Sequence, residues 1–210
     1  MDHNAPLSGL VLFCLVLVAG CTHRPPETLN WHTTPAAAGP GRIAVVPVWL
    51  GSGVGSAAEI ATDSLAASLR ECGLHEVVTL SSEQRAQLFS QDVLFTNDLP
   101  TNTLLRVRDA MKADSVLIAR IEQFDAYDPV VVAMNVHLIS CHDGAKLWEA
   151  GGHFDGRRLD IQDDIRYWYG LANGGSHANL AGWRGTLVSP QAFTRYVTDR
   201  LVWTLRPPQE

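Results

Sequence analysis

Arg42-Ile-Ala-Val-Val-Pro-Val-Trp-Leu50, followed at once by Gly51-Ser-Gly-Val-Gly55, decides the fold. The first stretch is apolar, rich in β-branched residues and free of polar alternation. That pattern suits a strand covered on both faces, as in the sheet of an α/β domain. Pro47 lacks an N–H, so one side of this strand must miss a ladder bond there. The glycines form a loop, and a helix is predicted over 57–72. Ser56 and Glu59 have capping-box spacing, and Gly73 stands where a helix stops. Ala58, Ala61, Leu65, Leu69 and Cys72 fall on one helical face. Val77 to Leu80 reads as the next strand, which completes a βαβ opening.

Working outward, Ser81 or Ser82 opens a second helix that carries Ala86, Leu88 and Phe89. A third is predicted over 103–113, with Leu104, Val107 and Met111 on its buried side. Residues 114–124 read as a strand. Residues 129–141 and 145–154 make a hairpin around His142-Asp143-Gly144, since Asp-Gly between strand patterns is a turn signal. On its first arm Val130, Val132, Met134, Val136 and Leu138 point one way. Val131, Ala133, Asn135, His137, Ile139 and Cys141 point the other. The even-numbered face should cover a core, and the mixed face should be partly wet. Pairing through the turn places His153 near Met134. A helix is predicted over 160–171, with Ile161, Ile165 and Trp168 inside, then a Gly-rich loop over 172–188. Ser189 and Pro190 start a last helix to about residue 205. The expected fold is α/β (α+β): a mixed sheet of about five strands in two or three layers, opened by βαβ and carrying a C-terminal hairpin with packed helices. It forms one domain over 42–206, of which 156–206 is a helical extension.

The first twenty residues read as a signal peptide. Val11 to Val18 is an apolar run too short to span a bilayer, and it leads into Val18-Ala19-Gly20-Cys21. A Cys directly after Ala-Gly resembles the lipobox of bacterial lipoproteins. The resemblance implies acylation of Cys21 (a diacylglyceryl group on its sulfur), cleavage before it, and palmitate-type acylation of the new amine. Several chains anchor a protein stably, at about 0.8 kcal/mol per buried CH2. Thr22 at the next position implies the outer membrane, on its periplasmic face. Residues 21–41, with His-Arg-Pro-Pro and Gly-Pro-Gly, lack hydrophobic periodicity and are expected to be a disordered tether.

Composition bounds the function. The chain has 22 acidic and 16 basic residues, and cleavage before Cys21 removes only Asp2, leaving 21 against 16. That balance argues against nucleic acid as a partner. Cys72 and Cys141 remain after processing. In an oxidising compartment they either pair or stay as small buried residues, and topology could bring both to one sheet end. They lack the spacing of a zinc site.

No chemistry outcompetes a structural reading. Gly51, Gly53 and Gly55 sit where a dinucleotide phosphate could bind, but Ser56 takes the third glycine position and no P-loop Lys is present. No cofactor is expected. His137 and His153 on the hairpin lack HxH or HExxH spacing, so no metal site is expected. Asp160, Asp163 and Asp164 suit the first turns of a helix. Tyr167, Tyr169 and Trp183, with Trp168, cluster near a Gly-rich loop and are candidates for binding a partner. No Ser has the nucleophile-elbow surround, and no catalytic residue is assigned.

The order of elements resembles the periplasmic lipoprotein superfamily that includes the curli secretion protein CsgG, the penicillin-binding-protein activator LpoB and the TolB N-terminal domain. The matching pieces are Arg42-Ile-Ala-Val-Val-Pro-Val48, Ala113-Asp-Ser-Val-Leu-Ile-Ala119 and Val136-His-Leu-Ile-Ser-Cys-His-Asp-Gly-Ala-Lys-Leu-Trp148, within about residues 42–156. The resemblance implies a non-catalytic envelope protein that binds other envelope proteins or assembles with its own copies. The alternative from the residues is an enzyme acting on envelope polymers, a glycan hydrolase using the carboxylates at 160–164.

Overall fold

Pro47 divides the apolar run into two strands. In the computed structural model, which describes residues 25–39, 41–50, 55–89, 99–172 and 182–206, β2 (Gly41–Val45) stops short of it and β3 (Trp49–Leu50) resumes beyond. A helix, α1 (Gly55–Cys72), then carries the chain to β4 (His75–Thr79), which pairs parallel with β2. After α2 (Ser82–Leu88) and α3 (Thr101–Met111) comes β5 (Ser115–Asp125), parallel to β2 and β3. β6 (Val131–Ser140) and β7 (Lys146–Asp155) form the antiparallel hairpin, and α4 (Leu159–Ala172), α5 (Gly182–Val188) and α6 (Pro190–Trp203) complete the chain. A short strand ahead of all these, β1 (Asn30–Thr33), pairs antiparallel with β7. The mixed sheet has seven strands in the order β1-β7-β6-β5-β2-β4, with β3 beside β5.

Alternation within β2 explains its continuous hydrophobicity. Ile43 and Val45 enter one core with Leu65 and Leu69 of α1, while Ala44 and Val46 enter a second with Leu104 and Val107 of α3. The first core lies between the sheet and the layer of α1, α4, α5 and α6. It takes the even-numbered face of β6, namely Val132, Met134, Val136 and Leu138, as the pattern predicts. The second is smaller and lies under α2 and α3. Fully burying a Leu or Phe contributes about 1.5–3 kcal/mol, so the larger core holds the fold. Trp148 is fully buried at its edge and donates its indole N–H to the Thr204 hydroxyl at 2.9 Å.

Local signals act where expected. Ser81 and Gln84 form a reciprocal capping box at α2. The Ser189 hydroxyl accepts the Ala192 N–H at the start of α6, with Pro190 in its first turn. Gly73 after α1 and Gly144 in the hairpin turn have positive φ (72° and 74°), which only glycine adopts freely.

The expected α/β (α+β) fold with a mixed sheet stands, and four details of it differ. The sheet has seven strands rather than about five, because β1 and β3 were too short to show a period. The predicted tether is folded from Asn30, with β1 followed by a 3-10 turn (Pro35–Ala38) whose Ala37 is fully buried. The sheet's free edge supplies the pairing that the segment cannot supply itself. α1 already runs from Gly55, so Ser56 lies inside its first turn instead of capping it. The predicted loop over 172–188 contains α5, which docks Trp183 into the larger core.

The sequence leaves pairing and separate burial both open for the cysteines. Cys72 and Cys141 are free, with Cys72 against the core on the α1 side of the sheet and Cys141 buried in the core beneath α3. The sheet lies between their two thiols, because α1 covers the even-numbered face of the hairpin and Cys141 points from the odd one. Cys21, Gly51 and Gly53 lie outside the described residues, and no helix among the described residues is long and apolar enough to cross a membrane.

Candidate functional site

The two helical layers cover the sheet unequally. α2 and α3 roof only the part of the odd-numbered face made by β2, β5 and the turn end of β6. The remaining odd-numbered face, over β6, β7 and β1, carries no helix among the described residues. It forms an open groove of about 910 Å³ whose lining includes Asn30, Glu122, Gln123, Asn135, His137, Glu149 and His153.

Strand register builds this groove in rows. His32 of β1, Glu149 of β7 and His137 of β6 occupy one row, because His32 pairs with Glu149 and Glu149 with His137. Glu149 lies 2.6 Å from the Lys146 ammonium and 3.7 Å from His137 Nδ1. The Lys146 hydrogen bond, with further positive charge from His137 and His32, holds the Glu149 carboxyl below the usual carboxylate range. Glu149 is therefore ionised at neutral pH and lacks the raised pKa of a general acid. The next row is Asn30, Gly151 and Asn135. Gly151 leaves its space to the Asn135 side chain, and a Cβ there would collide with the amide oxygen. His153 stands opposite Ala133, one residue from the expected position. At the turn end of β7 the bulged Leu147 leaves a carbonyl out of the hairpin ladder. The backbone N–H and the hydroxyl of Thr34 both donate to it at 2.9 Å, which fastens the segment after β1.

Residues singled out by sequence have different fates. Tyr167 is exposed, with the Arg200 guanidinium 5.8 Å from its ring centroid. Tyr169 packs against the larger core, with its hydroxyl crowding Gly182. Trp183 is only 6% exposed and lies beside the guanidinium groups of Arg166 and Arg184, at 4.7 and 5.4 Å from its ring centroid. Trp183 is thus a packing residue, and the three aromatics do not form one exposed surface.

The carboxylates are likewise separated. Asp160 pairs with Arg158 at 2.9 Å, which lowers its pKa, and Asp163 pairs with Arg166 at 2.9 Å. Asp164 points into the core, where it accepts from Arg200 Nε at 2.7 Å and from the Tyr196 hydroxyl at 2.6 Å. No opposed pair of acids faces a cleft there, so the geometry a glycan hydrolase needs is not assembled from these three. Among the described residues no group of three or more His, Cys, Asp or Glu side chains is placed to hold a metal ion.

Sequence reasoning reached His137, Asn135 and the mixed face of β6, but not Asn30, His32 or the glycine row. Those depend on β1, whose four residues give no periodic signal. The arrangement as a whole is a mixed sheet face, in which hydrogen-bonding side chains stand among Trp31, Ala133 and two glycines. It is suited to recognition by surface complementarity.

No family model matches the chain, and no curated protein matches it. Solved structures do. The fold is that of a mixed α+β domain shared with PelC from Paraburkholderia phytofirmans, solved as a dodecamer. The likeness has 18% identity and a TM-score of 0.54, and covers 87% of this chain and 99% of that one. Also similar are the lipoprotein GNA1162 from Neisseria meningitidis (19% identity, TM-score 0.46, 64% of this chain and 99% of that one) and the LpoB C-terminal domain from Salmonella enterica (21% identity, TM-score 0.39, 58% and 86%). At these identities the PelC likeness speaks to the fold alone, and the other two add no argument.

Proposed function

We propose that this chain is an envelope lipoprotein, acylated at Cys21 and held on the periplasmic face of the outer membrane, that acts as a non-catalytic assembly module and works as a homo-oligomer. The observation that carries this reading is the sheet face over β6, β7 and β1, which no helix among the described residues covers, while α2 and α3 cover the neighbouring part over β2 and β5. Charged and amide side chains at fixed register give such a face specificity for one partner geometry. A second copy is the favoured occupant, because the similar PelC fold was solved as a dodecamer. The lipobox resemblance at Cys21 and Thr22 supports the anchor and its membrane. The competing enzyme reading loses support because Asp160, Asp163 and Asp164 are each engaged by an arginine in a different place.

Mass photometry of the full chain in detergent tests the assembly. The wild type should be oligomeric at nanomolar to micromolar concentration, and Ala133→Arg, which puts a cation into the groove, should shift it towards monomer. A wild type that stays monomeric throughout overturns self-assembly.

A further inference from the structure

The two most exposed large apolar side chains of the described residues are Tyr127, at 84%, and Leu159, at 76%. Both lie at one end of the sheet. Tyr127 is in the loop between β5 and β6, and Leu159 opens α4 directly after β7. Asp125, Val131 and Asp155 occupy one register row there, which brings the two loops together. Val188, 55% exposed, joins them, because the Val130 N–H donates to the Leu187 carbonyl at 3.1 Å and Leu187 lies against Gly156.

The N-terminal chain arrives at this same end. β1 runs antiparallel to β7 and starts opposite Gly151, so residues 26–29 run back alongside 152–155. The Thr28 carbonyl lies against Gly152, and Glu27 is close enough to act on the charge of Arg158. Only four peptide steps separate Cys21 from Pro25, a reach of at most about 14 Å. An acyl anchor on Cys21 must therefore hold this end of the sheet, and no other, against the bilayer.

We infer that the 126–130 and 156–159 loops form the membrane-seating surface of the protein, with Tyr127 and Leu159 entering the interfacial layer of the lipid. A tyrosine ring with its hydroxyl outward suits that layer, and a single leucine adds apolar area without the cost of a charge. The same end carries Glu27, Asp125, Asp128, Asp155 and Asp160 against Arg157, Arg158 and, in the lead-in from Cys21, Arg24. Its net negative charge fits zwitterionic headgroups and disfavours an anionic surface. This inference rests on the proposed anchor at Cys21, and the test separates the two.

Full-length, processed protein with Cys72→Ala would be labelled with an environment-sensitive fluorophore at Tyr127→Cys, Leu159→Cys or, at the opposite end, Asp143→Cys. It would then be placed on phosphatidylcholine–phosphatidylethanolamine vesicles containing a spin-labelled lipid. Intact mass and flotation report the anchor independently. The expected result is at least twofold quenching at positions 127 and 159 and none at 143, weakening when an anionic lipid is added. Acylated, floating protein whose 127 and 159 labels behave like that at 143 overturns the seating while the anchor stands. Protein that is neither acylated nor floating removes both.

Discussion

Replacing Asp164 with alanine should be among the most damaging single changes in this chain. Asp164 is 1% exposed and Arg200 7%, and their charged atoms lie 2.7 Å apart with the Tyr196 hydroxyl on the same carboxylate oxygen. Removing the carboxylate strands a nearly buried guanidinium that cannot lose its proton. Breaking a buried pair from one side costs about 3–5 kcal/mol. The orphaned Tyr196 hydroxyl, fully buried among Phe154, Phe193 and Trp168, adds about 1–3 kcal/mol. These terms overlap, since one oxygen serves both donors, so about 4 kcal/mol is the expected total. For a domain of this size about 2–4 °C is lost per kcal/mol, which gives a fall in Tm of roughly 8–16 °C. Urea denaturation followed by tryptophan fluorescence, with thermal melts beside it, measures both. The double variant Asp164→Leu with Arg200→Met should recover most of the loss, because an apolar pair of similar volume escapes the desolvation cost. An Asp164→Ala protein within 1 kcal/mol of wild type, or a double variant worse than either single change, would refute the reasoning.

Gly152→Ala should cost about 1–3 kcal/mol in the same denaturation assay, because its Cβ would sit 2.8 Å from the buried Phe154 ring and 3.0 Å from the Thr28 carbonyl; a cost below about 0.5 kcal/mol would contradict it. Burial, helped by the charge of Asp114, pushes the Cys141 thiol up to about 11. Its folded pKa is raised, so the associated stability is complete below the unfolded value near 9 and is lost as pH rises through 11; stability measured from pH 8 to 11 should fall for wild type more steeply than for Cys141→Ala. Cys21→Ala should move the protein from the membrane fraction to the soluble one or leave the precursor uncut, as read by fractionation and intact mass.

The parts of the fold legible in sequence are those where one residue pattern had one physical solution. The Arg42 run could only be a doubly covered strand, and Ser189-Pro190 could only open a helix. Asp143-Gly144 between alternating arms could only be a hairpin turn. β1 was illegible because Asn30, Trp31, His32 and Thr33 owe their conformation to an edge supplied by β7, well over a hundred residues later. α5 was hidden by Gly182 and Gly185, and its docking depends on Trp183 finding space beneath Arg166. The groove was half legible: the mixed character of β6 predicted a wet face. Which neighbours shared it depended on β1 and on Gly151, whose contribution is the absence of a side chain.

The short β1 strand also has a mechanical meaning. Any load entering the folded domain from the chain ahead of Pro25 meets the buried Leu29 and then β1, which four residues of ladder and the Thr33 and Thr34 hydrogen bonds hold in place. Should they yield, the twelve peptide steps from Leu29 to Gly41 pay out, with a contour of about 40 Å, while β2 and the central sheet remain paired. The domain thus carries a folded reserve of chain ahead of β2, able to lengthen under tension without unfolding what lies beyond.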